Sequence, residues 1–295
     1  MGAPKPGHAA RSRRLPVVLF LDLDKTVIGR ADSAVERFFL RKVLAELHEA
    51  GELPAAALPA AALDPAAEMA PLMRPGFGDA IRHVRRHIRH VEVFVCTMGA
   101  PATVLELKAP GIRAASGVAL REPIFHRELC QSAARPDRKR VGACFRQAAA
   151  TLAADGYPAL RDPAAVDEVF RTRFFMIDDT PDVAFDDISN ARLVTCPPFE
   201  GPRLERGLDV FRGLLPAAAM RNRKVVEYVG GRLANMTPAT ARDGPRRPAT
   251  AADNFWPAFA ERLVADAALL GLLSPPSTPP SSRLPRPAGR AKKRA

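Results

Sequence analysis

An apolar run without polar alternation, Leu15–Leu21, stops on Asp22 and Asp24. A continuous run of this length predicts a parallel strand buried on both faces. Val35, Phe38, Phe39, Val43, Leu44 and Leu47 then recur at helical spacing, which predicts an amphipathic helix from Ser33 to about Ala50 with Ser33 as its N-cap. Leu53–Pro71 is rich in Ala and Pro and reads as a low-complexity linker. Phe77–His90 predicts a helix with Ile81, Val84 and Ile88 inward, and Val91–Cys96 a second buried strand. Val141–Ala154 reads as helical, and a helical-looking insertion, about Phe145–Arg171, precedes the next strand. Arg173–Ile177 is that third strand and again runs into paired acids, Asp178 and Asp179. Ala191–Cys196 is a fourth strand and Leu204–Leu215 a closing helix. Arg221–Leu233 and Asn254–Leu273 carry weaker helical patterns, the latter with Trp256, Phe259, Leu263 and Leu270 apolar.

Strands that alternate with helices predict an α/β fold, a parallel sheet covered on both faces. In such sheets the ligand site lies at the carboxyl ends of the strands. Asp22, Asp24, Thr97, Asp178 and Asp179 all fall at predicted strand ends, so they are expected to meet on one rim. A buried carboxylate without a partner is costly. Asp22 and Asp24 therefore either close a strand-end turn or hold a cation and do chemistry.

Charge adds a division of the chain rather than a function. Residues 1–14 carry four bases and residues 274–295 six, with no acid in either, so only +2 of the net +12 belongs to the body. Basic tails of this kind bind polyanions weakly or serve as nuclear addresses, and "GRAKKRA" at the end has that form. Their composition predicts disorder. The four cysteines form no C-x-x-C pair, and His126, Cys130 and Cys144 match no usual zinc spacing. His83, His87 and His90 share a helix face and read as a solvated basic surface rather than a metal site. Arg11–Leu23 has a leader-like outline, but Asp22 breaks it, and no segment approaches 18 uninterrupted apolar residues. The expectation is a soluble, intracellular monomer with no membrane partner.

Several carboxylates at one rim repel one another, and a hard divalent cation resolves the conflict; magnesium suits a few carboxylate oxygens plus waters and a substrate phosphate. One carboxylate can then be a nucleophile towards phosphorus, and a second, two residues on, an acid and base. Phosphoryl transfer also needs donors for the equatorial oxygens, which a hydroxyl and a lysine supply.

"FLDLDKT" (Phe20–Thr26), "VFVCT" ending on Thr97 and "RFFMIDDTP" ending the third strand resemble, in order, the motifs of the haloacid-dehalogenase-like phosphatases. "MRPGF" (Met73–Phe77), "FHRELC" (Phe125–Cys130) and "MIDDTPDVAFDDISNARLV" resemble the carboxy-terminal-domain phosphatase branch of that family. The resemblance spans roughly residues 15–215 and implies a three-layer Rossmann-like core with a minimal helical cap at 31–72. The phosphatase domain is then 15–216, followed by a helical extension at 217–273 and flanked by the disordered basic tails 1–14 and 274–295. It implies Asp22 as nucleophile, Asp24 as acid and base, and Thr97 and Lys139 as donors to phosphate. It also implies Mg2+ held by Asp22, the backbone carbonyl of Asp24 and the Asp178–Asp179 pair, with Asp179 ranked first as direct ligand. The implied substrate is a phosphorylated protein segment; a nucleic-acid 3′-phosphatase, a small-molecule phosphatase and a catalytically silent binding module are the alternatives.

The chain departs from the branch in places. Lys25 stands where the branch often has an acid, and a helix follows where it commonly has a hairpin. The lysine of the third motif is ambiguous: Lys139 lies in a basic cluster, "RPDRKR", that could be plain surface charge, and Lys108 competes with it. Thr97 could be an ordinary strand-end hydroxyl, Trp256 and Phe259 packing residues, and Asp182, Asp186 and Asp187 turn and helix caps.

Overall fold

In a computed structural model, which describes residues 15–59, 62–133, 135–181, 184–185, 193–201, 207–211, 214–235, 253–269 and 272, the first apolar run forms β1 (Val17–Leu21), every residue of it buried. After it come α1 (Asp32–Glu49), the short α2 (Pro65–Met69), α3 (Phe77–His87) and β2 (Val91–Cys96). A π-helical turn, Val104–Lys108, leads into α4 (Ala109–Ser116) and β3 (Arg121–Phe125). The two-residue β4 (Lys139–Arg140), α5 (Val141–Ala154) and α6 (Pro163–Thr172) precede β5 (Phe174–Asp178), β6 (Ala184–Phe185) and β7 (Leu193–Thr195). Two further helices, α7 (Arg223–Asn235) and α8 (Phe255–Leu269), follow β7.

Five strands make one all-parallel sheet in the order β3-β2-β1-β5-β7, while β4 and β6 pair separately, also in parallel. The chain first builds outward from β1 through β2 to β3, then returns to the other side of β1 with β5 and β7. The order therefore reverses between β1 and β5, and the crevice of an open parallel sheet opens at the carboxyl ends of such a pair.

Side chains of β1 alternate between the two faces. Val17, Leu19 and Leu21 join a core with Ile81 and Val84 of α3, Leu107, Ile112 and, from α8, Trp256 and Leu263. Val18 and Phe20 join a second core with Val141 and Phe145 of α5 and Val169 of α6. Phe20 is its hub, with ring centroids 5.7 Å from Phe94, 5.4 Å from Phe125 and 5.0 Å from Phe174. Full burial of each such ring contributes about 1.5–3 kcal/mol, which explains why this strand tolerates no polar residue before Asp22. A third core lies to the side, where Leu40, Leu44 and Leu47 of α1 meet Val210, Phe211, Val225 and Val229.

Several expectations need correction. Ser33 is not the N-cap: α1 begins at Asp32 after Ala31, and Ser33 is buried within its first turn. Leu53–Pro71 is not a featureless linker. Asp64 accepts a hydrogen bond from the Ala66 N–H to cap α2, and α2 packs on α4 so closely that a Cβ on Gly111 would stand 2.3 Å from the Pro65 carbonyl oxygen. The helix expected to reach His90 stops at His87, and His90 turns left-handed (φ 60°) so that its carbonyl accepts from Val17 N–H. Its ring packs on Tyr157, away from the stacked His83 and His87. Leu204–Leu215 contains, among the described residues, a 3-10 turn at Gly207–Phe211. Trp256 is fully buried against Phe77 and serves packing.

Residues 1–14, 274–295, Asp182, Asp186, Asp187 and Leu270 lie outside the described residues. No helix among the described residues is long and apolar enough to cross a membrane.

The "MRPGF" segment ties the two ends of the fold together. Gly76 adopts φ 77°, a left-handed turn open to glycine, and starts α3. Arg74 is buried, its Nε and Nη2 donating to Asp253 at 2.8 and 3.2 Å, with its guanidinium 4.8 Å from the Phe255 ring and 5.7 Å from Phe199. Asp253→Asn keeps the shape but leaves a buried cation short of its counter-charge. It is expected to lower the unfolding free energy by about 2–3 kcal/mol in urea titration at unchanged slope. A loss below about 0.5 kcal/mol would show that this clamp holds nothing.

Candidate active site

Register brings the acids together. Leu21 pairs with Val95 on one side and Ile177 on the other, so Asp22 comes level with Cys96 and Asp178. The Asp22 N–H continues the ladder to the Ile177 carbonyl at 2.9 Å. By alternation Asp22 and Asp178 extend the row of Phe20 and Met176, on the face covered by α5.

Lys139 stands immediately before α5 and meets that row. It is 1% exposed, and its Nζ donates to Asp22 Oδ1 and to Asp178 Oδ2, both at 2.7 Å. Pairing of β4 with β6, Lys139 opposite Ala184, anchors its backbone. The second oxygen of Asp178 accepts from the Thr180 N–H at 2.9 Å. Lys139 takes only one oxygen of Asp22. Asp179 adds a third carboxylate: Asp22, Asp178 and Asp179 each offer an oxygen within 4.8 Å of the others.

The electrostatics follow from one cation among three anions. Burial pushes the Asp22 carboxyl up to about 6; Lys139 pulls it down, and Asp178 pushes it up again. Burial alone would lower the Lys139 ammonium, but Asp22 and Asp178 outweigh it and hold the ammonium well above its usual range. Asp179 is raised by burial and by Asp22, with Lys25 opposing. The cluster is short of positive charge.

Asp24 stands apart. Its carboxylate lies outside that cluster and accepts both its hydrogen bonds from Lys108 Nζ, at 2.7 and 2.6 Å. Lys108 comes from the π-helical turn on the opposite helical layer, where Val104 and Leu107 face the first core. The two lysines that compete in the sequence thus both enter the site, on different acids and from different sides of the sheet. A signal for Lys108 was present: with Val104 and Leu107 it completes a buried helical stripe, where a lysine requires a partner.

The remaining rim is backbone-built. Thr97 follows β2, is 1% exposed, and its Oγ1 accepts from the Gly99 N–H at 3.4 Å. After Asp24, Lys25 adopts φ 63°, and the N–H groups of Val27 and Ile28 fold back onto the Leu23 carbonyl at 2.9 and 3.0 Å. That left-handed residue turns the chain away from the sheet while its carbonyl accepts from Phe199 N–H. Gly29 approaches the Gly201 backbone so closely that a Cβ would lie 2.6 Å from its Cα, which seats the segment after β7 against this turn. The Thr26 hydroxyl is buried and accepts from the Cys196 thiol at 3.6 Å.

All four cysteines are free and buried, and among the described residues the three carboxylates alone come close enough to share an ion. Their donor set is all oxygen, which suits a hard cation such as magnesium. No protein-family model, curated protein or solved structure matches the chain.

The raised Asp22 carboxyl carries a stability consequence. An acid whose folded pKa lies above its unfolded value of 3.8 favours folding below that value, and this contribution is lost as the pH rises through about 6. Ionised Asp22 is thus a burden on the metal-free fold at neutral pH. Asp22→Asn is expected to raise the metal-free unfolding free energy by about 1–3 kcal/mol at pH 7.5, with the advantage fading between pH 6 and 4. If wild type is the more stable protein at pH 7.5, Lys139 more than offsets the burial of Asp22.

Proposed function

We propose that the chain is a magnesium-dependent phosphomonoesterase of the haloacid-dehalogenase-like kind, in the carboxy-terminal-domain phosphatase branch, acting through an aspartyl-phosphate on Asp22. The observation that carries this reading is the buried Lys139 bridging Asp22 and Asp178 at the point where the strand order reverses, with Asp179 alongside. A carboxylate held rigidly at a strand end, with one oxygen engaged and the other uncommitted, suits in-line attack on phosphorus.

In the proposed reaction Asp24 takes up a proton before the step; Asp22 then bonds to phosphorus as the ester oxygen leaves, and Asp24 gives that proton to the leaving alkoxide. Asp24 then withdraws a proton from water as its oxygen bonds to phosphorus, and the Asp22 carboxylate is released. Lys139 keeps Asp22 aligned and neutralises part of the arriving charge, while the Thr97 hydroxyl, whose oxygen accepts from the Gly99 N–H, donates its proton to a phosphoryl oxygen. Asp22, Asp179 and the Asp24 carbonyl would hold Mg2+, with Asp178 between Lys139 and the Thr180 N–H as the orienting acid. When bound, the ion supplies the positive charge the cluster lacks and polarises the phosphoryl group.

A phosphorylated protein segment is the substrate this site suits best. The insertion at 31–72 spends its apolar surface elsewhere: α1 on the first and third cores and α2 on α4. The Asp24 carboxylate and the Lys25 side chain stay 41% and 40% exposed at the rim. A rim this exposed among the described residues admits an extended chain.

Hydrolysis of an aryl phosphate and of phosphoserine peptides is expected with magnesium and is silenced by excess chelator. Asp22→Asn should lower kcat by about 10³-fold or more at unchanged fold. Asp24→Asn should slow the phosphoserine peptide about 10²-fold or more and an activated aryl phosphate far less, because only the alkoxide needs a proton to leave. Full activity in chelator, or an active Asp22→Asn protein, would refute the mechanism. A sugar or nucleotide monophosphate whose kcat/KM exceeds every phosphopeptide by orders of magnitude would refute the substrate class and leave the phosphatase standing.

A further inference from the structure

We infer that Lys108 is the positioning residue of Asp24: a buried tether that holds this carboxylate on the approach side of the site and out of the cation cluster, so that it serves proton transfer to alkyl leaving groups. This rests on the proposed phosphatase reading and gives Lys108, a competitor of Lys139 for the third-motif lysine in the sequence, a role of its own. The geometry is unambiguous. Lys108 is 5% exposed, and its Nζ donates to both oxygens of Asp24 at 2.7 and 2.6 Å, with Asp24 as its sole hydrogen-bond partner among the described residues. An ammonium buried to this extent without its counter-ion is costly, so the lysine is committed to that carboxylate.

Two features make the tether stiff. The first is local. Lys108 ends a π-helical turn, an irregularity that moves a side chain off the ordinary helical track and is frequent at functional sites. Val104 and Leu107 of the same turn are fully buried, so the turn cannot roll. The second is tertiary. The following helix is seated on α2 through Gly111, where no side chain fits, and this sets the depth from which Lys108 reaches.

The consequence falls on Asp24. Asp22, Asp178 and Asp179 already share one space around a single ammonium. Swinging Asp24 inward would add a fourth carboxylate there and strand Lys108 in the interior, two penalties of the same sign. Held outward, the carboxylate is 41% exposed, so it faces solvent as well as the site. The two lysines then divide the work across the sheet, Lys139 aligning the nucleophile from one helical layer and Lys108 aligning the proton carrier from the other.

The test is a double-mutant cycle of Lys108→Met and Asp24→Asn in the full chain, with Lys108→Gln as a second variant should methionine impair folding. Lys108→Met should lower kcat/KM for a phosphoserine peptide by about 10- to 100-fold more than for an aryl phosphate with a good leaving group. In the Asp24→Asn background the same change should have no further effect on either substrate. Thermal melting gives a readout independent of activity: Lys108→Met should raise the Tm of the Asp24→Asn protein, since it removes a stranded ammonium. Equal losses on both substrates that persist without Asp24 would overturn the inference and place Lys108 on the phosphate itself. A Tm that falls further in the double variant would show that the pair is not a committed one. Wild-type protein without magnesium-dependent phosphatase activity would instead defeat the functional reading, while the melting arm still decides whether the tether exists.

Discussion

Everything at the rim depends on a lysine that bridges two carboxylates. β1 and β5 run parallel and adjacent, and each ends on an aspartate on the same face of the sheet. Without a cation between them, Asp22 and Asp178 would place two charges side by side in the interior, and the strand register would carry the cost. Lys139 meets both at 2.7 Å. Its position is secured in turn by the short β4–β6 pairing and by α5, whose Val141 and Phe145 bury against the same face. The bridge relieves the acids only in part, since Asp179 stands beside the two carboxylates that Lys139 holds. A cluster that remains short of positive charge has room for a cation.

The D-x-D segment is gripped from both helical layers. Asp22 is held by a residue of the α5 layer, Asp24 by a residue that leads into α4, and Leu23 between them is buried in the first core. The alternation of a strand explains this only as far as Leu21. Beyond it the chain turns on Lys25, and the carbonyl of Leu23 gathers the following N–H groups into one tight turn. Under the proposed mechanism these two environments set two roles: a buried acid at a rigid strand end for attack, and a half-exposed one for proton traffic with the departing group.

The elements after the sheet contribute to the same rim. Arg74 joins the turn after β1 to the start of α8 through Asp253 and two aromatic rings, and its N–H donates to Val27. α7 covers α1 through Val225 and Val229. The insertion is engaged sideways, α1 with the first core and with α7, and α2 with α4.

Much of this was legible in the sequence. Buried parallel strands are continuous apolar runs, so β1, β2 and β5 could be read from neighbours alone, and the acids at their ends came with them. α5 could be read for the same reason. Elements at the margin could not be. β3 carries Arg121, Glu122 and Pro123, a pattern that only an edge strand tolerates, and α4 begins with Pro110 and Gly111, which argue against a helix until the first is seen to sit in the first turn and the second against α2. α2 looked like a linker because its five residues are too few to show a period. The pairings were the least accessible. Lys108 lies 84 residues from Asp24 and Lys139 lies 117 from Asp22. No local pattern encodes which lysine meets which acid, since that depends on which helical layer each residue joins and how deeply the layer packs. The residue types and the strand ends were determined by the sequence read locally; their assignment to partners was decided by the stacking of two layers on one sheet.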